Sequence, residues 1–181
     1  VKQKGPDFEL IEKIGNLSAS TPIIYGGGIR HESDAIEVIK KGADRISINN
    51  ILFNNPKSVS KIADYLGSQA IIASLPLINA NDAVKHFNYI TRKSCNLSKE
   101  IINLINEKVI SEVMVTDALN EGSFNGFDIR LLKINELKET KIIAFGGLAD
   151  TSIGKKVICL NNVSAIAVGN SFAYIEHAIQ T

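Results

Sequence analysis

The chain has 181 residues, 45% hydrophobic and 22% charged, which is the composition of a globular domain with room for one sizeable core. A formal net charge of +1 supplies no long-range field for nucleic acid or an anionic membrane, so any bound anion must be held by local design. No apolar run approaches the roughly 20 residues of a membrane span, and no signal peptide is visible.

The first residue is Val1 rather than methionine, and the chain reads as beginning inside a longer frame. An amphipathic helix is predicted from Phe8 to about Leu17. Six short apolar, β-branched runs follow as buried strands: 23–25, 45–48, 70–73, 112–115, 142–145 and 165–168. Between them, Ser33 to Lys41, Pro56 to Leu66, Leu97 to Val109 and Asp128 to Leu137 read as helices. Pro56 sits at a helix start, and Gly42 and Gly67 act as stop signals. Asn79 to Asn96 is polar and irregular, with Phe87 to Thr91 a candidate hairpin strand or part of a disordered loop. Strand–helix alternation of this kind means a parallel α/β fold with right-handed crossovers, closed or open.

An internal repeat narrows the choice. Thr21-Pro22-Ile23-Ile24-Tyr25-Gly26-Gly27-Gly28 matches Lys141-Ile142-Ile143-Ala144-Phe145-Gly146-Gly147-Leu148, and the strand from Ala43 to Asn50 matches that from Val163 to Asn170, both 120 residues apart. Each half thus holds a strand ending in Gly-Gly, a helix, and a strand ending in a small polar pair. Gly-Gly lets backbone N–H groups approach an anion, and the next strand end, opening a short helix, adds donors with a favourable dipole. The plainer reading is that Gly-Gly marks a tight turn. Two copies in register favour two phosphate sites, suited to an elongated substrate phosphorylated at both ends.

The segments Tyr25-Gly26-Gly27-Gly28-Ile29-Arg30, Gly42 to Asn49 and Gly67-Ser68-Gln69-Ala70-Ile71 closely resemble the cyclase subunit of imidazole glycerol phosphate synthase, a histidine-biosynthesis barrel. The resemblance runs from about Phe8 to Tyr174. It implies a single-domain (βα)8 TIM-type barrel, incomplete here, with about six of the eight strands present and the first two βα units missing ahead of Val1. It further implies a lyase-type cyclase that takes ammonia from a partner glutaminase and joins it to a bisphosphorylated ribulosyl substrate, without cofactor or metal. One phosphate site would use Gly27, Gly28, Asn49 and Asn50; the other would use Gly122, Gly146, Gly147, Gly169 and Asn170. Thr116 and Asp117 would line the mouth. Arg45 and Glu112 would stand at the ammonia entrance, or form an ordinary ion pair, and Asp44 would meet the glutaminase.

The family does its acid–base work with two aspartates, at the ends of the first and fifth barrel strands. The first strand is absent here, and Pro76 stands at the fifth-strand position. Leu119-Asn120-Glu121-Gly122-Ser123 replaces a loop that carries aspartate in the family, leaving Glu121 and Asp117 as weak catalytic candidates, and Phe145 crowds the second phosphate site. Two alternatives therefore stand beside the cyclase: a paralogue that works with a glutaminase in amidino modification of surface sugars, and a non-catalytic barrel that binds phosphates or a partner. Cys95 and Cys159, too few for a disulfide framework, suit a reducing, cytoplasmic setting and read as inert thiols. His31, His86 and His177 are scattered, without metal-ligand spacing and with no cysteine expected nearby.

Overall fold

The computed structural model describes residues 4–17, 20–148 and 150–169. Its contacts divide into two compact units, Val1–Ser74 with Leu97–Val113, and Leu75–Asn96 with Met114–Thr181. The long strand β3 (Ile71–Ala80) and strand β6 (Glu112–Asp117) each contribute to both.

The first unit opens with α1 (Phe8–Leu17), whose Ile11 is buried. Strand β1 (Ile24–Gly26) pairs in parallel with β2 (Arg45–Ile48), and β2 in parallel with β3. Helices α2 (Glu32–Lys40), α3 (Asn50–Asn54), α4 (Pro56–Leu66) and α5 (Lys99–Asn106) belong to the same unit. The periodic residues make the core: Ala35 and Val38 of α2, Val59 and Ile62 of α4, and Ile101 and Ile105 of α5 are all buried. So are Ile46 and Ile48, on one face of β2, while Arg45 and Ser47 on the other remain partly accessible. Helix α1 meets the end of α2 through two glycines. A Cβ on Gly15 would stand 3.5 Å from the Gly42 Cα, a backbone approach only small residues permit.

The second unit holds the rest of the sheet, in the order β3-β6-β7-β8, with β7 at Lys141–Phe145 and β8 at Val163–Ala167. Helix α6 (Thr151–Ile158) connects β7 to β8, which pair in parallel. The repeat is imperfect here. Tyr25 pairs with Ile46 in the first unit, whereas Phe145 pairs with Ala167 rather than with the repeat-equivalent Ile166, because the register slips between Ile142 and Ile143.

The predicted order of six parallel strands is present, as expected for an incomplete (βα)8 barrel. One expectation needs revision, and one open choice is decided. The segment Asp128 to Leu137 is not one helix but two single 3-10 turns, Ile129–Leu132 and Asn135–Leu137, which still bury Leu131, Leu132 and Leu137. Its apolar spacing suits either form, and Asp128 caps the first turn by accepting from the Arg130 N–H. The irregular segment after β3 is ordered. Strand β3 continues to Ala80, and β4 (Ala83–Asn88) and β5 (Lys93–Cys95) extend it as an antiparallel ribbon. Tyr89 to Arg92 form the turn rather than a strand; the Asn88 Oδ1 accepts from the Ile90 and Thr91 N–H groups.

Candidate functional site

In each unit a glycine turn leaves one strand beside the end of its parallel neighbour. In the first, Gly26 closes β1 in register with Ser47, so Gly27 and Gly28 lie next to the end of β2 at Asn49. Gly27 and Gly28 have φ of 112° and 74°. The two glycines differ in surroundings. Open space adjoins Gly27, whereas a Cβ on Gly28 would lie 2.5 Å from the carbonyl carbon of Gly5. The segment Lys4–Asp7 runs over Gly28, held by the Asp7 N–H donating to the Tyr25 hydroxyl at 2.8 Å and by the Arg30 guanidinium donating to the Lys4 carbonyl at 3.3 Å. Asn49 spends its amide on the fold: Nδ2 donates to the Ser74 carbonyl at 2.8 Å, tying the end of β2 to β3. Asn50 opens α3.

In the second unit Gly146 and Gly147 follow β7 with φ of 93° and 66°. A Cβ on Gly146 would meet the Asp117 carbonyl oxygen at 2.9 Å, and one on Gly147 the Gly126 backbone at 2.9 Å. Close backbone packing against the β6 loop requires glycine at both positions. Gly122 (φ 74°) has open space instead. The Phe145 ring stands 3.6 Å from where a Gly169 Cβ would be, which places an aromatic wall on that strand end. Asn170 lies outside the described residues.

Asp117, at the end of β6, is 1% exposed. Its Oδ1 accepts from the Leu119 and Asn120 N–H groups at 3.2 Å. Its Oδ2 accepts from Asn120 Nδ2 and from the Asp128 N–H, both at 2.8 Å. Four donors make this carboxylate the organiser of the loop from Ala118 to Asp128. Thr116 is buried beside it in sequence. Glu121 is exposed, and its Oε2 accepts from the Tyr89 hydroxyl at 2.6 Å. Burial first, and then the bond to Glu121, push the Tyr89 phenol well above its usual pKa, so it remains a donor. The Phe87 ring meets that of Tyr89 edge to face at 5.4 Å. Tyr89 was not singled out from the sequence, because nothing local marks a hairpin-tip tyrosine as the partner of a residue 32 positions on. Tyr89→Phe should loosen the ribbon by about 1 kcal/mol, the worth of one hydrogen bond. Faster amide exchange in β4 and β5, with the rest of the chain unchanged, is the expected reading.

Pro76 lies buried within β3, where it offers no ionisable group. Arg45 is a clamp at the opposite end of β2. Its guanidinium pairs with Glu112 and donates to the Gln69 carbonyl at 2.9 Å and to the Ser111 hydroxyl at 2.8 Å. Asp44 accepts from the Ile23 N–H at 2.7 Å. His86, expected to stand apart from cysteine, instead contacts Cys95: the ribbon brings together residues nine apart. His177 lies outside the described residues. Among the described residues, no group of three or more His, Cys, Asp or Glu side chains is placed to hold a metal, and no helix is long and apolar enough to cross a membrane.

Parallel βα units with glycine turns at their strand ends define an α/β chain of the (βα)8 type. The sequence profile of the family described as histidine biosynthesis protein matches residues 1–178, and the chain belongs to that family. A putative imidazole glycerol phosphate synthase subunit HisF of Leptospira borgpetersenii is 26% identical over 177 residues, covering 96% of this chain and 69% of that protein. The imidazole glycerol phosphate synthase subunit HisF of Leptospira biflexa serovar Patoc is 29% identical over the same shares. That of Thermotoga sp. (strain RQ2) is 28% identical over 81% of this chain and 58% of its own length.

Proposed function

We propose that this chain is the cyclase component of an imidazole glycerol phosphate synthase, binding phosphate groups of its substrate at the glycine turns and receiving ammonia from a glutaminase subunit. The observation that carries the reading is the pairing, in each unit, of a positive-φ glycine turn with the end of the adjacent parallel strand. Backbone N–H groups at such turns are donors without a side chain in the way, which is what close phosphate approach needs. Gly27 and Gly122, each with open space where a side chain would stand, are the positions through which an anion would enter. Gly28, Gly146 and Gly147 shape the turns from behind. Asn49, Asn50, Gly169 and Asn170 belong to the same proposed sites, Thr116 and Asp117 to the mouth, and Asp44, Arg45 and Glu112 to the partner face.

A phosphate titration followed by amide chemical shifts in the full-length protein tests this. The Gly27 and Gly122 resonances should move in a saturable way with inorganic phosphate, and a bisphosphorylated sugar should bind more tightly. Static resonances would remove both sites.

A second reading, a phosphate-binding barrel without cyclase turnover, is favoured by Pro76 inside β3 and by the hydrogen-bonded state of Asp117. Neither provides a free carboxylate for proton transfer, and Glu121, exposed in the β6 loop, accepts from the Tyr89 hydroxyl. Ammonia-dependent turnover of the bisphosphorylated substrate supports the first reading; phosphate binding without turnover supports the second.

A further inference from the structure

Strands β4 and β5 set His86 opposite Cys95 in an antiparallel pair, with Cys95 Sγ 3.8 Å from His86 Nδ1. The two differ in access: His86 is 3% exposed, while Cys95 lies on the open surface. Side chains alternate along a strand, so Lys93, two residues before Cys95, shares its face of the ribbon. A thiol that faces solvent therefore has a fixed imidazole on one side and an ammonium-bearing residue on its own strand. Neither Cys95 nor His86 takes part in the glycine turns or the Asp117 loop.

We propose that Cys95 is a nucleophilic thiol and a covalent-modification site for soft carbon electrophiles, with His86 as its proton acceptor. The thiolate is the attacking form of cysteine, and a neighbouring base or cation favours it. In reaction with an alkyl halide, the S–H proton passes to His86 Nδ1, a sulfur electron pair forms the new S–C bond, and the halide departs with the electrons of the broken carbon–halogen bond. The step needs no redox partner. Burial disfavours the imidazolium and so lowers the His86 pKa: the ring rests uncharged and takes the thiol proton only as the S–C bond forms. The inference goes beyond the proposed function and does not depend on it.

Cys159 provides an internal comparison. It follows α6, is also free and exposed, and contacts no histidine among the described residues. Iodoacetamide labelling of the native full-length protein at about neutral pH, read by peptide mass spectrometry, should alkylate Cys95 at least about fivefold faster than Cys159. In urea the two rates should converge, and in a folded His86→Gln variant the Cys95 rate should fall towards that of Cys159. Equal native rates, or a difference that survives in urea, would overturn the proposal. A folded His86→Gln protein that keeps the full difference would do the same. Because the urea comparison uses the unaltered protein, the proposal stays testable even if that variant does not fold.

Discussion

Gly28→Val is expected to destabilise the first unit by about 2–5 kcal/mol, adding a left-handed backbone cost of about 1–2 kcal/mol to an overpacking cost of about 1–3 kcal/mol. The new Cβ would lie 2.5 Å from the Gly5 carbonyl carbon and 2.7 Å from the Pro6 nitrogen, both backbone atoms that cannot rotate away. The turn would have to expel Lys4–Asp7, breaking the Asp7–Tyr25 and Arg30–Lys4 hydrogen bonds. Gly27→Ala is the matched comparison. It too has positive φ, but its side chain would enter open space, so the backbone cost of about 1–2 kcal/mol applies without the overpacking. Urea melts should place the Gly28 variant well below the Gly27 variant. Equal midpoints would mean that the Lys4–Asp7 segment does not hold the turn.

Asp117→Ala should be comparably severe, at about 3–5 kcal/mol, because it strands donors rather than merely deleting an acceptor. The Leu119 and Asp128 N–H groups and the Asn120 amide all point at this one buried carboxylate. Gly146 packs its backbone against Asp117 and Gly147 against Gly126, so the damage should spread from the β6 loop into the turn after β7. The measurable signature is a lower denaturation midpoint together with new proteolytic cleavage between Ala118 and Asp128. A resistant loop and an unchanged midpoint would show that Asp117 is not its organiser. In that case its carboxylate would be available for chemistry after all.

These two cases show how differently residues disclose their roles. The glycine repeat is visible in one dimension, because a strand that must turn sharply at its end advertises the fact with residue types few others can replace. The six strands are equally legible: short β-branched runs between amphipathic stretches have few other ways to bury themselves. What the glycines face is not legible. Gly27 and Gly28 are neighbours of the same type, yet one borders open space and the other the Gly5–Pro6 backbone. Likewise, Asp117 looks like a candidate acid until four donors converge on it.

The sequence by itself determined the parallel α/β framework, the doubled glycine turns and the family, since these rest on local periodicity and on residue types tied to particular backbone angles. Tertiary structure alone decided that Asp128 to Leu137 breaks into two 3-10 turns, that the stretch after β3 pairs as a ribbon rather than running as a disordered loop, and that His86 meets Cys95 while Tyr89 reaches Glu121. Those outcomes depend on which distant groups satisfy one another's hydrogen bonds, and that is settled only when the chain is packed.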